Sequence, residues 1–171
     1  MFAGLSIPKA SIVGISLGAW LALKFAVAHP HKVEKLVLLC PAGVGLQKTS
    51  FAYRSLCYLL MGEKGLERLY RQVNGGKPIA REMMDYQKLI GKHFRFRRER
   101  IPLFTDDELS RLTMPSLVVV GKKDVLLHSL KTARRFQSLV PHANVSVLQD
   151  AGHTPTGPAG DIIALLRRED R

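Results

Sequence analysis

The chain has 171 residues, 46% of them hydrophobic and 23% charged, a composition that suits one globular domain and excludes a disordered chain. Its longest charge-free stretch, residues 10–23, is 14 residues long, short of the ~20 a helix needs to cross a bilayer, so no transmembrane segment is expected. The formal net charge of +12 favours anionic surfaces without specifying a fold.

Met1-Phe2-Ala3-Gly4-Leu5 has neither a basic opening nor a long apolar run with a cleavage site, so a cytoplasmic location is the expectation. Residues 10–14, Ala-Ser-Ile-Val-Gly, form a short apolar segment of buried-strand type. The chain then turns through Ile15-Ser16-Leu17-Gly18 into residues 19–28, rich in helix formers and stopped at His29-Pro30, because proline disfavours helical geometry in the residue before it. A second buried strand is predicted over 33–40, closed by Pro41-Ala42-Gly43.

From Val44 to Leu112 the apolar period changes. Leu56, Leu59, Leu60, Leu66, Leu69 and Tyr70 recur at helical spacing, interrupted by Gly62, Gly65, Gly75 and Gly76, which reads as a helical insertion whose stripe faces either a core or a substrate. The basic run from Lys92 to Arg100 alternates aromatics with arginines, and a solvated helix or loop face is the simpler reading than a specific anion site. Further strands are predicted over 116–120 and 144–148, with helices over 129–140 and 161–168. Continuous apolar strands alternating with helices indicate a parallel sheet covered on both faces. Cys40 and Cys57 are too few and too far apart for a disulfide framework or a zinc knuckle, and both are expected to be buried and reduced.

Gly14-Ile15-Ser16-Leu17-Gly18 matches G-x-S-x-G, the nucleophile elbow, in which serine occupies a strained strand-to-helix turn and glycines let the backbone pass close by. A serine before a helix also serves as a simple N-cap, but glycine on both sides favours the elbow. With this motif the sequence resembles the α/β-hydrolase family, most strongly over residues 10–44 and 114–154. The family's order is serine, acid, histidine. The resemblance implies that Asp124, in Val120-Gly121-Lys122-Lys123-Asp124, is the acid, and that His153, in Asp150-Ala151-Gly152-His153, is the histidine. Asp150 is the rival acid, although its place three residues before His153 suits a surface turn.

These assignments imply an α/β-hydrolase-like partial parallel sheet with flanking helices. Residues 1–43 and 113–171 would form its core, and 44–112 a helical cap or lid. They imply a serine hydrolase of carboxylic esters or similar small carbonyl compounds, working through an acyl-enzyme with no cofactor and no metal. The substrate would be a small molecule with an apolar portion, and nucleic acid is not the expected partner. The backbone N–H of Leu17 would supply one oxyanion-hole donor. The second donor comes, in the family, from a loop after an earlier strand. Only 15 residues precede Ser16, so that loop has no counterpart and the upstream strands, on the order of 90 residues of βαβ units, are not expected within this chain. Residues 2–9 read like the tail of a helix and loop, as though the chain starts late in a longer protein. The elbow strand should then expose one edge, open to an oligomeric partner. The alternative to an enzyme is a non-catalytic hydrolase-like fragment whose basic surface binds an anionic partner.

Overall fold

Four short apolar segments pair side by side in chain order, β1 (Ala10–Ile15), β2 (Val33–Leu39), β3 (Ser116–Gly121) and β4 (Asn144–Leu148), all parallel. The structure is a computed structural model that describes residues 7–93, 101–155 and 157–168. Register runs straight across the sheet, with Val13 beside Val37 and Val37 beside Leu117. Every strand therefore ends at one edge of the molecule, the place where open α/β sheets bind ligands.

The two faces are filled differently. Leu36, Leu38, Val118 and Val120 point to α1 (Leu17–Ala28) and α6 (Ser129–Leu139), where Leu23, Ala26 and Phe136 complete the larger core. Val37, Leu117 and Val119 face the other way, against Leu165 and Ile162 of α7 (Ala159–Arg167). Because β2 and β3 are covered on both sides, they are apolar at nearly every position instead of alternating. The polar exceptions are Glu34, Lys35 and Ser116; the ammonium of buried Lys35 donates to the carbonyls of Leu166 and Arg168 at the end of α7, where a cation is favourable. On β1, Val13 and Ile15 remain 50% and 45% exposed. No strand pairs with the outer edge of β1 among the described residues.

Observed ends differ from the predicted ones by one or two residues, as helix and strand ends do. Between β2 and β3 lie α2 (Ser50–Leu60), α3 (Gly62–Val73), α4 (Arg81–His93) and the short α5 (Asp106–Ser110). The leucine stripe predicted here does not form a core on α2. Leu56, Leu59 and Leu60 are exposed, Leu60 to 82%, whereas Leu66, Leu69 and Tyr70 of α3 are half-buried. At its two stems Val44, Phe104, Leu109 and Leu112 are buried in the larger core, and polar contacts add to that anchoring. Arg135 on α6 donates to the carbonyls of Val44 (2.6 Å) and Phe104 (2.7 Å) and pairs with Asp106 (2.6 Å). Trp20 of α1 donates its indole N–H to the Pro102 carbonyl at 3.0 Å. The basic run from residue 94 to 100 lies outside the described residues.

Candidate active site

Ser16 is the hinge between β1 and α1, with φ 52° and ψ −112°. A positive φ is unfavourable for a residue with a Cβ, and the fold maintains it by packing α1 directly on the strand it leaves. Gly14 permits that approach, since a Cβ there would lie 2.6 Å from the Gly18 carbonyl oxygen and 2.7 Å from the Ala19 backbone. Gly18 differs from expectation: beyond its chain neighbours and its own helix backbone, no atom of the described residues lies within 4 Å of a Cβ built on it, so close packing there requires only the first glycine of the motif.

The loop after β3 brings Asp124 beneath the end of the sheet, 1% exposed. Its Oδ1 accepts the N–H groups of Leu126 (2.7 Å) and Leu127 (3.0 Å), while Oδ2 accepts from Nδ1 of His153 at 2.8 Å. Burial alone would raise this carboxyl. The hydrogen bond and charge of His153 and the two backbone N–H groups outweigh it and hold the group below its ordinary value. Lys48, at the start of the helical segment, donates its ammonium to the Asp124 carbonyl at 2.6 Å and its backbone N–H to that of Leu126 at 2.7 Å. Nothing in the sequence singled Lys48 out.

His153 follows β4, 8% exposed, with its Nε2 2.8 Å from Ser16 Oγ. Its backbone N–H donates to the Val73 carbonyl at the end of α3 at 2.8 Å. The preceding Gly152 is pressed against the same turn, where a Cβ would lie 2.2 Å from the Gly75 nitrogen and 2.3 Å from the Val73 oxygen. Because ionised Asp124 can only accept, Nδ1 carries the imidazole proton and Nε2 keeps a lone pair facing the Ser16 hydroxyl. The arrangement can therefore take a proton from Ser16 and stabilise the imidazolium that results. Asp150 is exposed and pairs with Lys123 at 3.0 Å, which holds its carboxyl below the ordinary value; it is not the carboxylate bonded to His153.

Ser16 and His153 open onto a cavity of about 240 Å³, lined chiefly by Phe51, Ile101, Leu126 and Leu127, with Gln47 and Lys48 as its polar side chains. Among the larger side chains of the insertion, Phe51 lines this cavity. Tyr58 instead accepts a hydrogen bond from Gln72, and Met61 is exposed. Leu17, also predicted at the site, is the first residue of α1, where a backbone N–H has no acceptor within its own helix. A larger concavity of about 430 Å³ opens near the opposite ends of β3 and β4, beside Leu117, Asn144 and Arg168. It contains neither Ser16 nor His153, so the smaller cavity is the one onto which the hydrogen-bonded series opens.

The sequence profile of the "Alpha/beta hydrolase family" matches residues 2–164. The chain belongs to the α/β-hydrolase family. Relatives of this α/β-hydrolase chain include carboxylesterase YbfK of Bacillus subtilis (strain 168), 24% identical over 161 residues, a match covering 90% of this chain and 54% of YbfK. Another is 2-hydroxy-6-oxo-6-phenylhexa-2,4-dienoate hydrolase of Burkholderia cepacia, 26% identical over 174 residues, covering 90% of this chain and 59% of that enzyme. The crystal structure of the carboxylesterase CesB (YbfK) from Bacillus subtilis superposes with a TM-score of 0.78 at 21% identity, covering 97% of this chain and 62% of the other. These structures share the fold. The chain spans little more than half the length of the curated relatives it matches.

The two cysteines lie in opposite surroundings. Cys40, at the end of β2, is 0% exposed and adopts φ 43°. Burial pushes its thiol up to about 12, partly opposed by a backbone hydrogen bond to Gly121 and reinforced by the Asp124 carboxylate. Cys57 was expected to be buried as well, and it is exposed on α2, a helix whose Tyr53, Leu56 and Leu60 are exposed with it. No helix among the described residues is long and apolar enough to cross a membrane.

Proposed function

We propose that this chain carries the catalytic machinery of a serine hydrolase acting on small carboxylic esters through an acyl-enzyme. The observation behind this reading is the hydrogen-bonded series Ser16, His153, Asp124, both links 2.8 Å long, with the acid pinned by two backbone N–H groups. Serine is a weak nucleophile at its own pKa. His153 takes the hydroxyl proton as Ser16 Oγ attacks the ester carbonyl, then gives it to the departing alcohol. Water repeats the cycle on the acyl-Ser16 ester and releases the acid. Asp124 keeps the imidazole in the required tautomer. The Leu17 N–H, at the positive end of α1, stabilises the tetrahedral oxyanion.

In this reading residues 1–43 and 113–171 are the hydrolase core, and the helical segment 44–112 is the cap that closes the site through Lys48, Phe51 and Ile101. A cavity of about 240 Å³ with mostly apolar walls suits a short apolar acyl or alcohol portion, being smaller than a typical drug-sized pocket. The carboxylesterase among those relatives accords with this substrate class.

A fluorophosphonate probe tests the assignment. Labelling of one serine per chain, lost in Ser16→Ala, is the expected result, together with turnover of p-nitrophenyl acetate or butyrate that falls with longer acyl chains. Unlabelled protein that is folded by circular dichroism would overturn the enzyme reading and leave the non-catalytic binding module in its place.

A further inference from the structure

The carboxyl ends of all four strands deliver a polar side chain to one spot, and the mechanism just given uses only three of them: Ser16 after β1, Asp124 after β3 and His153 after β4. The fourth is Cys40, after β2. A buried cysteine is commonly a small apolar filler, but this position is poorly suited to a filler. Its backbone lies in the left-handed region, at φ 43°, where glycine would be accommodated more cheaply. Its N–H is tied to the Val119 carbonyl at 2.8 Å, and Sγ lies 3.9 Å from the Gly152 carbonyl oxygen, beside the histidine loop. One ligand atom each from Cys40, Asp124 and His153 lie within 4.8 Å of one another, and all three residues are buried.

We propose that Cys40, Asp124 and His153 form an inhibitory site for a thiophilic divalent cation of the zinc class. Sulfur, imidazole nitrogen and carboxylate oxygen are the donors such a cation prefers, and three protein ligands leave a fourth position open. Tetrahedral coordination at ordinary metal–ligand lengths places donor atoms about 3.3 to 3.7 Å apart. The 2.8 Å contact between Nδ1 and Oδ2 must open by roughly half an ångström, and the longest separation must close by about one. The thiol proton passes to solvent as the thiolate binds. The imidazole stays neutral, with Nδ1 on the metal and its proton carried by Nε2. That nitrogen then faces Ser16 Oγ as a donor and cannot accept the hydroxyl proton, so the nucleophile is left unactivated. Lys48 contributes a nearby positive charge through its bond to the Asp124 carbonyl, and the two anionic ligands exceed it.

The inhibitory consequence rests on the proposed function, whereas metal binding does not, and the test separates them. Cadmium is titrated into full-length Cys57→Ser protein, which lacks the exposed thiol, while the ultraviolet thiolate-to-cadmium charge-transfer band is followed. Zinc inhibition of p-nitrophenyl acetate hydrolysis is measured in parallel. One cadmium per chain is expected, with the band absent in Cys40→Ala and in Cys40→Ser, and with affinity reduced at least about tenfold in His153→Ala. Cys40→Ser should keep its turnover and lose zinc inhibition. An unchanged band in folded Cys40→Ser, or equal zinc inhibition with and without the thiol, would overturn the metal site. A Cys40-dependent band in protein that hydrolyses no ester would refute the function and leave the site standing.

Discussion

The sheet with its ring of strand ends and the helical segment between β2 and β3 are stabilised by different means. In the sheet, Leu36, Leu38 and Val118 are fully buried in one continuous core. In the helices that follow β2, the apolar side chains of α2 are largely exposed, and Gly65 is the one buried residue of α3. Hydrophobic burial fixes the positions of Ser16, Asp124 and His153. The segment above them is anchored only at its stems, where Val44, Phe104, Leu109 and Leu112 join that core and Arg135, Trp20 and the His153 backbone add hydrogen bonds, while α2 and α4 bury little. A site built this way keeps its reacting groups rigid and leaves its cover free to differ in sequence and position.

Five substitutions would break or sharpen this contrast. The largest effect belongs to the strand ends: Ser16→Ala should lower kcat for ester hydrolysis by ~10⁴-fold or more, with little change in melting temperature. Asp124→Asn should cost a similar factor in kcat, and it should also alter the pH dependence of stability. Asp124 titrates below its ordinary value when folded, so its contribution is complete above the unfolded carboxylate range and drains away as pH falls through the folded value. Urea unfolding from pH 7 downwards should therefore show the gap between wild type and Asp124→Asn closing in acid. A gap that widens would show that the carboxylate is not stabilised by its partners.

Leu38→Ala removes a fully buried side chain and should destabilise the fold by about 2–5 kcal/mol in equilibrium unfolding. Arg135→Ala should cost about 1.5–3 kcal/mol, since it breaks charged hydrogen bonds to two stem carbonyls. It should also raise the protease sensitivity of residues 44–112 before that of the sheet. Leu60→Ala should change stability by less than about 0.5 kcal/mol. If it instead costs as much as Leu38→Ala, the segment has a core of its own and the contrast fails.

The parts of the molecule that could be read from the sequence are those fixed by local chemistry. Ser16 was legible because an elbow needs a strand, a glycine and a helix within a few residues, and Gly14 meets the steric demand the motif implies. Asp124 and His153 were legible as chain order, each placed just after an apolar strand. Cys40 looked like ordinary core, since its neighbours across the sheet are not adjacent in sequence. Lys48 and the Val73 carbonyl are not legible because their hydrogen bonds, one of them from the Lys48 ammonium, join backbone groups far apart in the chain and leave no residue pattern. The exposure of Cys57 and Leu60 was missed because a helical stripe shows which side chains share a face and not whether anything covers that face.

The contact between Gly152 and Gly75 bears on how the chain tolerates change. Alanine at either position would drive a methyl group into backbone, 2.2 Å from one glycine nitrogen and 2.6 Å from the other. The strain would be relieved by moving the loop that carries His153. In a library of random variants these two glycines would behave as intolerant sites with the phenotype of catalytic losses, although neither has a side chain to offer a substrate. The boundary between scaffold and candidate site in this molecule therefore runs through residues whose contribution is the space they leave empty.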